Sequence, residues 1–306
     1  MAHEDLTGHN SSASDVYIEF KGKPEEDAFL TEVPPDSPSF LAVKKKPVST
    51  SGQITSYAAL QLESQYRTHV FSVLIVGDYA RLIRWDRSGA VVTAPIYYRR
   101  QPELFDFFTR YDQAERTVRG YDDSVCNATP SETGKAIAAA PKAFSAPLLI
   151  VTVMQRQYVI NSPVARPYTP PGRATHTSIA YDLQRDCIVF FKDSWRIDCA
   201  GIVPEGDVYH ILESNRVPNI PHCSASGDVG EHRTQTNRYT NASWAVKSSH
   251  SFTPHRHHRL ILDHVGEKLD KFRCSKEMVF AIKAALSGVY LAAILAYCAC
   301  MLTNRF

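Results

Sequence analysis

The residues best suited to chemistry are Lys192 and Glu205, thirteen positions apart. Lys192 closes a run of bulky strand formers, Val189-Phe190-Phe191, and polar residues crowd in after it at Asp193, Ser194 and Arg196. A lysine at a strand end is either a surface residue whose stem covers apolar neighbours or an ammonium held ready for an anion. Its surroundings point to the second use. A Gly172-Arg173-Ala174-Thr175 turn precedes the strand pair that ends at the lysine, and Pro204-Glu205 opens a helix behind it. A glycine turn lets the backbone approach phosphates, a strand lysine meets the phosphate oxygens, and a helix carboxylate holds that lysine as an ion pair. Gly172, Lys192 and Glu205 are therefore the candidate cofactor contacts, with ATP as the cofactor. Gly172 stands alone where a glycine-rich loop has several, so the turn carries less of this argument than the lysine does.

Two further constellations combine cations with potential ligands. His255, His257, His258 and His264 cluster with Arg256 and Arg259. Their spacing does not set a helical zinc pair, so the expectation is a solvated basic loop with no metal. Arg81, Arg84, Trp85 and Arg87 interleave cations with an aromatic, as a nucleic-acid surface does. Alternation along a strand predicts instead a packed sheet with an arginine rim. A net charge of +2 with neutral histidines is too near zero to argue for nucleic acid as a partner.

These residues need elements to hold them. The 306 residues suggest about two domains, and 44% hydrophobic with 22% charged residues is the balance of an ordinary globular chain. Seven cysteines at irregular spacing, with no CxxC, suggest reduced thiols rather than a disulfide framework, and hence an intracellular setting in cytoplasm or nucleus. Residues 1–50, rich in Ser, Pro, Lys and Glu, read as a flexible arm, with the Lys44–Lys46 run as a solvated charge patch. Residues 51–125 read as an α+β module: a helix over Gly52–Arg67, three strands in a meander, then a helix opened by Pro102. Residues 126–145 read as a mobile link, and 146–283 as an antiparallel sheet with one helix. Within that last part, 214–258 is polar and reads as irregular.

The string RLIRWDRSGAVV (Arg81–Val92), the element RGYDDSV (Arg119–Val125), FKDSWR (Phe191–Arg196), PEGDVYHIL (Pro204–Leu212), GDVGEHRTQTNRY (Gly227–Tyr239) and HRLILDHVGEKL (His258–Leu269) together resemble the fungal-type protein kinase family, over roughly residues 50–283. The resemblance implies a family-specific N-terminal module joined to a protein-kinase-like small lobe, with protein phosphorylation from ATP and magnesium as the family activity. It makes Lys192 the nucleotide-contacting lysine, Glu205 its helix partner, Gly172 part of the glycine turn, and Asp263–Gly266 the neighbourhood of the adenine. Phosphoryl transfer also needs a group that orients the attacking hydroxyl and ligands for magnesium. Kinases carry the first in a His-Arg-Asp loop, and no His-Arg-Asp occurs in this sequence. Forty residues after Gly266 are too few for a large lobe. The expectation is therefore an inactive, truncated relative with no catalytic residue present, its substrate or partner protein unknown, and magnesium used only if a large lobe were present.

The run Ala284–Leu302 holds no charged residue over nineteen positions, the length at which a membrane span becomes readable. Three readings stay open for 284–306: a tail anchor that would make a membrane the partner, a core helix, or a frame that departs from the family near Ser287. A tail-anchored binding module without catalysis is accordingly the alternative function.

Overall fold

The structure, a computed structural model, describes residues 14–32, 37, 39–163, 169–246, 252–267 and 269–303, with side chains described as far as Ala293. Buried alternation at Val70, Ser72 and Leu74 against Ile83 and Trp85 builds the first sheet, with the Trp85 indole N–H donating to Ser72 Oγ at 3.1 Å. Its strands are β1 (Tyr17–Lys21), β2 (His69–Val76), β3 (Tyr79–Asp86) and β4 (Gly89–Val92), in that order, with β1 parallel to β2 and the rest antiparallel. Helix α1 (Lys45–Ser64) lays Ile54, Ala58 and Leu62 on one face of this sheet, against Val70, Leu74 and Ile83. Helix α2 (Glu103–Gln113) packs Leu104 and Phe107 on the other, against Val73 and Ala80.

Two expectations about the beginning of the chain change. Residues 14–32 are not a flexible arm. Strand β1 extends the sheet, and the buried Asp27 accepts from Arg81 Nε at 2.8 Å and from the Tyr79 hydroxyl at 2.9 Å. Helix α1 starts at Lys45, a turn or more before the expected Gly52, with Pro47 inside its first turn. First-turn N–H groups have no intrahelical acceptor, so a proline there removes nothing. The lysine run thus opens a helix.

The second sheet has seven strands: β5 (Val125–Asn127), β6 (Leu148–Val153), β7 (Arg156–Asn161), β8 (His176–Asp182), β9 (Cys187–Ile197), β10 (Cys223–Arg233) and β11 (His255–Leu262). Their order is β10-β11-β9-β8-β7-β6-β5, antiparallel throughout. The stretch 148–160 is a hairpin, turned at Met154 with a positive φ of 56°. The expected link over 126–145 contains β5 and helix α3 (Pro130–Ala139). This helix starts on a capping box, in which Glu132 N–H donates to Thr129 Oγ1 at 3.3 Å and Thr129 N–H donates to Glu132 Oε2 at 2.8 Å. Ala136 then packs on Leu148, Ile150, Val159 and Tyr181.

The histidine-arginine run is also corrected. It is β11, paired on both sides, with Arg259 fully buried and His255, His257 and His258 buried beside it. The charges are tolerated because carboxylates face them: Asp193 beside His257 and Arg259, and Asp228 beside Arg256 and His258. Strand β10 occupies part of the region expected to be irregular.

Helix α4 (Glu205–Ser214) lies on β10, and helix α5 (Ser275–Thr303) follows β11. Over its described part α5 exposes Val279, Phe280, Leu286, Val289 and Tyr290. Among the described residues no helix is long and apolar enough to cross a membrane. The end of the apolar run, beyond Ala293, lies outside the residues whose side chains are described.

Candidate functional site

Side chains alternate along β9. Lys192 and its cross-strand partners Thr177 and Leu260 share one face of the large sheet; Phe191, Asp193 and Trp195 leave by the other. On the first face the Lys192 ammonium donates to both oxygens of Glu205, at 2.7 Å and 2.6 Å. The two side chains remain 21% and 30% exposed, so a solute can reach the pair.

Helix α4 sets the carboxylate there. Glu205 is its first residue, behind Pro204 with its fixed φ, where a negative charge also meets the positive end of the helix dipole. The helix sits unusually close to the sheet. A Cβ at Gly206 would stand 1.9 Å from Ser226 Oγ and 2.3 Å from its Cβ, so only glycine allows α4 to rest on β10 at this height. The sequence reading missed Gly206; a glycine directly after a helix-opening Pro-Glu was the available signal. It also missed Arg173, whose guanidinium lies 3.9 Å from Glu205 Oε2 and is 57% exposed, a second cation on the same carboxylate.

Gly172 is placed differently from the other two. Its φ of +120° is one that a side chain would oppose, and its N–H donates to Arg87 O at 2.9 Å, in the turn between β3 and β4. Arg173 O then accepts from Trp195 N at 2.7 Å, continuing the β8–β9 ladder. The structure brings Lys192 and Glu205 together and ties Gly172 to the N-terminal module. Asp263, at the start of the stretch assigned to the adenine, accepts from Arg185 at 2.7 Å and contacts His222 Nδ1 at 2.7 Å. Burial raises its pKa, but Arg185 and His222 outweigh that and hold it well below the usual carboxylate range.

The opposite face of the sheet is dry. The Arg259 guanidinium donates to Asp193 Oδ2 at 2.8 Å, Asp122 Oδ2 at 2.6 Å, Ser124 Oγ at 2.7 Å and Thr152 O at 3.2 Å. Desolvation opposes ionisation of both carboxylates, yet His257 and Arg259 hold Asp193, and Arg259 holds Asp122, below the ordinary range. Asp122 is the fourth residue of the Arg119–Val125 element. Gly120 before it has φ +94° and leaves no room for a Cβ, which would lie 2.0 Å from His69 O.

The string Arg81–Val92 docks the two sheets. Asp86 accepts from the N–H of Gln235 at 2.7 Å and of Thr236 at 3.0 Å, and Ser88 Oγ donates to Thr253 O at 2.9 Å. Arg87 donates to Glu63 at 2.9 Å and Pro170 O at 3.2 Å, while His176 Nε2 lies 2.6 Å from the same glutamate. Arg81 and Arg87 are each 2% exposed, so the expected arginine rim is in large part an interior ion-pair set.

A model of the family described as fungal protein kinase matches residues 41–291, which takes in most of the first sheet and all of the second. No curated protein and no solved structure matches the chain.

Proposed function

This chain belongs to the fungal protein kinase family, and from that premise we propose that Lys192 and Glu205 grip the phosphate tail of ATP in a protein-kinase-like small lobe. The single observation that carries this is the double contact of Lys192 Nζ with the Glu205 carboxylate at 2.6–2.7 Å, partly open to solvent. Counted from β7, the lysine is on the third strand of an antiparallel run and its partner is on the helix that follows, the order in which protein kinases carry the pair. The glutamate holds the ammonium in one position, and a phosphate oxygen replaces water on its outer side. Arg173 adds a second positive group beside them.

Gripping is distinct from transfer. Residues 1–306 contain no His-Arg-Asp, the loop that orients the attacking hydroxyl in kinases. The proposal is that these residues alone bind nucleotide and leave its γ-phosphate in place. Magnesium belongs with the family's activity and would arrive with ATP to neutralise phosphate charge, while Lys192 would meet a phosphate oxygen.

Calorimetric titration with ATP in magnesium tests this. Wild type should bind, and Lys192→Ala should bind about 10–100-fold more weakly, the worth of one charge-assisted hydrogen bond. Equal affinities would remove the proposal. Transfer of labelled phosphate to a generic protein substrate, abolished by Lys192→Ala, would keep the grip and refute the absence of turnover.

A further inference from the structure

On the dry face, away from Lys192, three ligating atoms converge, two of them close enough to share a hydrogen bond. His232 Nδ1 on β10 and His257 Nδ1 on β11 are 3.3 Å apart. The Asp122 oxygens lie 3.8 Å from the His257 nitrogen and 4.0 Å from that of His232. All three ligand atoms fall within 4.8 Å of one another. We propose that Asp122, His232 and His257 bind a divalent cation of the zinc class, which clips the segment after α2 to β10 and β11.

The hydrogen bonding of the two imidazoles leads there. His257 Nε2 lies 2.6 Å from Asp193 Oδ1, and a carboxylate accepts only, so in the neutral ring Nε2 carries the proton and Nδ1 keeps its lone pair. Trp195, stacked on the His257 ring at 4.9 Å and 5°, fixes the orientation of that lone pair. His232 Nε2 faces Asp123 Oδ1 at 3.7 Å, leaving either ring nitrogen able to carry its proton. With Nδ1 of both rings deprotonated, two lone pairs and a carboxylate face one point, which a cation would occupy. Two nitrogens each about 2.0–2.1 Å from a tetrahedral zinc stand about 3.3 Å apart, which is the separation here.

The surroundings have the form of a metal's outer shell. Asp193 behind His257 is the carboxylate that orients a ligating imidazole, and the Ser124 amide, donating to Asp122 Oδ1 at 2.9 Å, orients the carboxylate. The buried carboxylates Asp122 and Asp193 outnumber the one buried guanidinium, Arg259, so the site is negative and favours a cation. Two imidazoles and one carboxylate suit zinc, with water completing the tetrahedron. A clip here holds Asp122 against the strands whether or not nucleotide is bound.

Full-length protein, stripped by chelator and desalted, is titrated with zinc chloride against a chromogenic chelator. Uptake of about one zinc per chain at sub-micromolar affinity, with a rise in thermal midpoint, is expected. His232 is only partly buried, so His232→Ala can fold, and it should bind zinc about 100-fold or more weakly. Lys192→Ala should take up zinc as wild type does, so that failure of nucleotide binding and failure of zinc binding are separate results. Folded wild type that takes up no zinc, or His232→Ala with undiminished uptake, overturns the proposal. Should the variant not fold, cobalt decides on wild type alone: intense tetrahedral visible bands support the site, and a spectrum no different from free cobalt overturns it.

Discussion

Lys192 and Asp193 are neighbours on β9 and leave the sheet on opposite faces. Each is an ion-pair partner, and there the likeness ends. Lys192 has one carboxylate, both side chains partly in water. Asp193 is buried with Arg259, Asp122 and His257, in a set whose oxygens and nitrogens are nearly all taken by one another. A pair in water can exchange a partner at little cost, because screening keeps its Coulomb energy small. A buried pair cannot, because separating the charges leaves one of them desolvated and alone. The difference assigns the work: the wet face can meet a ligand, and the dry face holds the N-terminal module to the sheet.

The largest expected effect breaks the dry side. Arg259→Leu leaves Asp193 and Asp122 buried without their shared cation, and should cost about 3–5 kcal/mol, enough to unfold a marginal domain. Urea denaturation followed by tryptophan fluorescence measures it. A cost below about 1 kcal/mol would mean that the two faces do not differ in kind.

The sequence showed one of these faces and hid the other. Lys192 and Glu205 were legible because a strand ending in lysine and a helix opening with Pro-Glu are local signals. The dry set was not, because its members come from three separate segments, and only pairing places Arg259 opposite Asp193 in register. Read alone, His255–Arg259 has the composition of a solvent loop. Helix α2, opened by Pro102, and the strand pair that carries Lys192 stand where the sequence put them, whereas α1 begins seven residues before its expected start. Strand β1 was not, since a five-residue strand among charges is held by parallel pairing to β2, which leaves no local trace. Helix α3 was an avoidable miss: Thr129-Pro130-Ser131-Glu132 is a capping box with proline at the first helical position.

Acid sharpens the comparison from the module's side. Burial, then the Arg84 charge, push the His69 pKa down from 6.5 to about 4. The neutral ring can accept from Thr68 Oγ1 through Nδ1 and donate to Val118 O through Nε2, beside the crowded Gly120. Between those two pH values the unfolded chain binds the extra proton, so stability falls as pH drops from 6.5 toward 4. For a half-buried group the total is about 2–3 kcal/mol. Denaturation midpoints at pH 7 and pH 4.5 should differ accordingly, and His69→Gln should flatten that window. An unchanged slope in the variant would locate the acid sensitivity elsewhere.

A smaller effect separates geometry from charge on the wet face. Gly206→Ala puts a Cβ into Ser226, so α4 or the serine must give way, at about 1–3 kcal/mol. The charges of Lys192 and Glu205 are untouched, but the carboxylate rides outward with the helix. Nucleotide affinity should therefore fall although no ligand contact has been deleted. Full affinity in a destabilised Gly206→Ala would show that the height of α4 is unimportant to the grip.

Lys192→Ala should give the smallest change in stability and the clearest change in binding. Its ion pair is partly solvated, so its removal should cost about 0–1 kcal/mol in urea. A structural strut of the Arg259 type would cost several times more and leave ligand affinity alone. The two measurements on one variant thus pull in opposite directions for the two readings of this lysine. If it is a strut, stability falls and ATP binds as before; if it is a phosphate contact, stability holds and ATP binding falls about 10–100-fold. Glu205→Gln completes the argument, because it keeps the helix and the ammonium but frees the ammonium to swing. Under the phosphate reading that variant weakens ATP without abolishing it, a middle result that a purely structural pair has no reason to give.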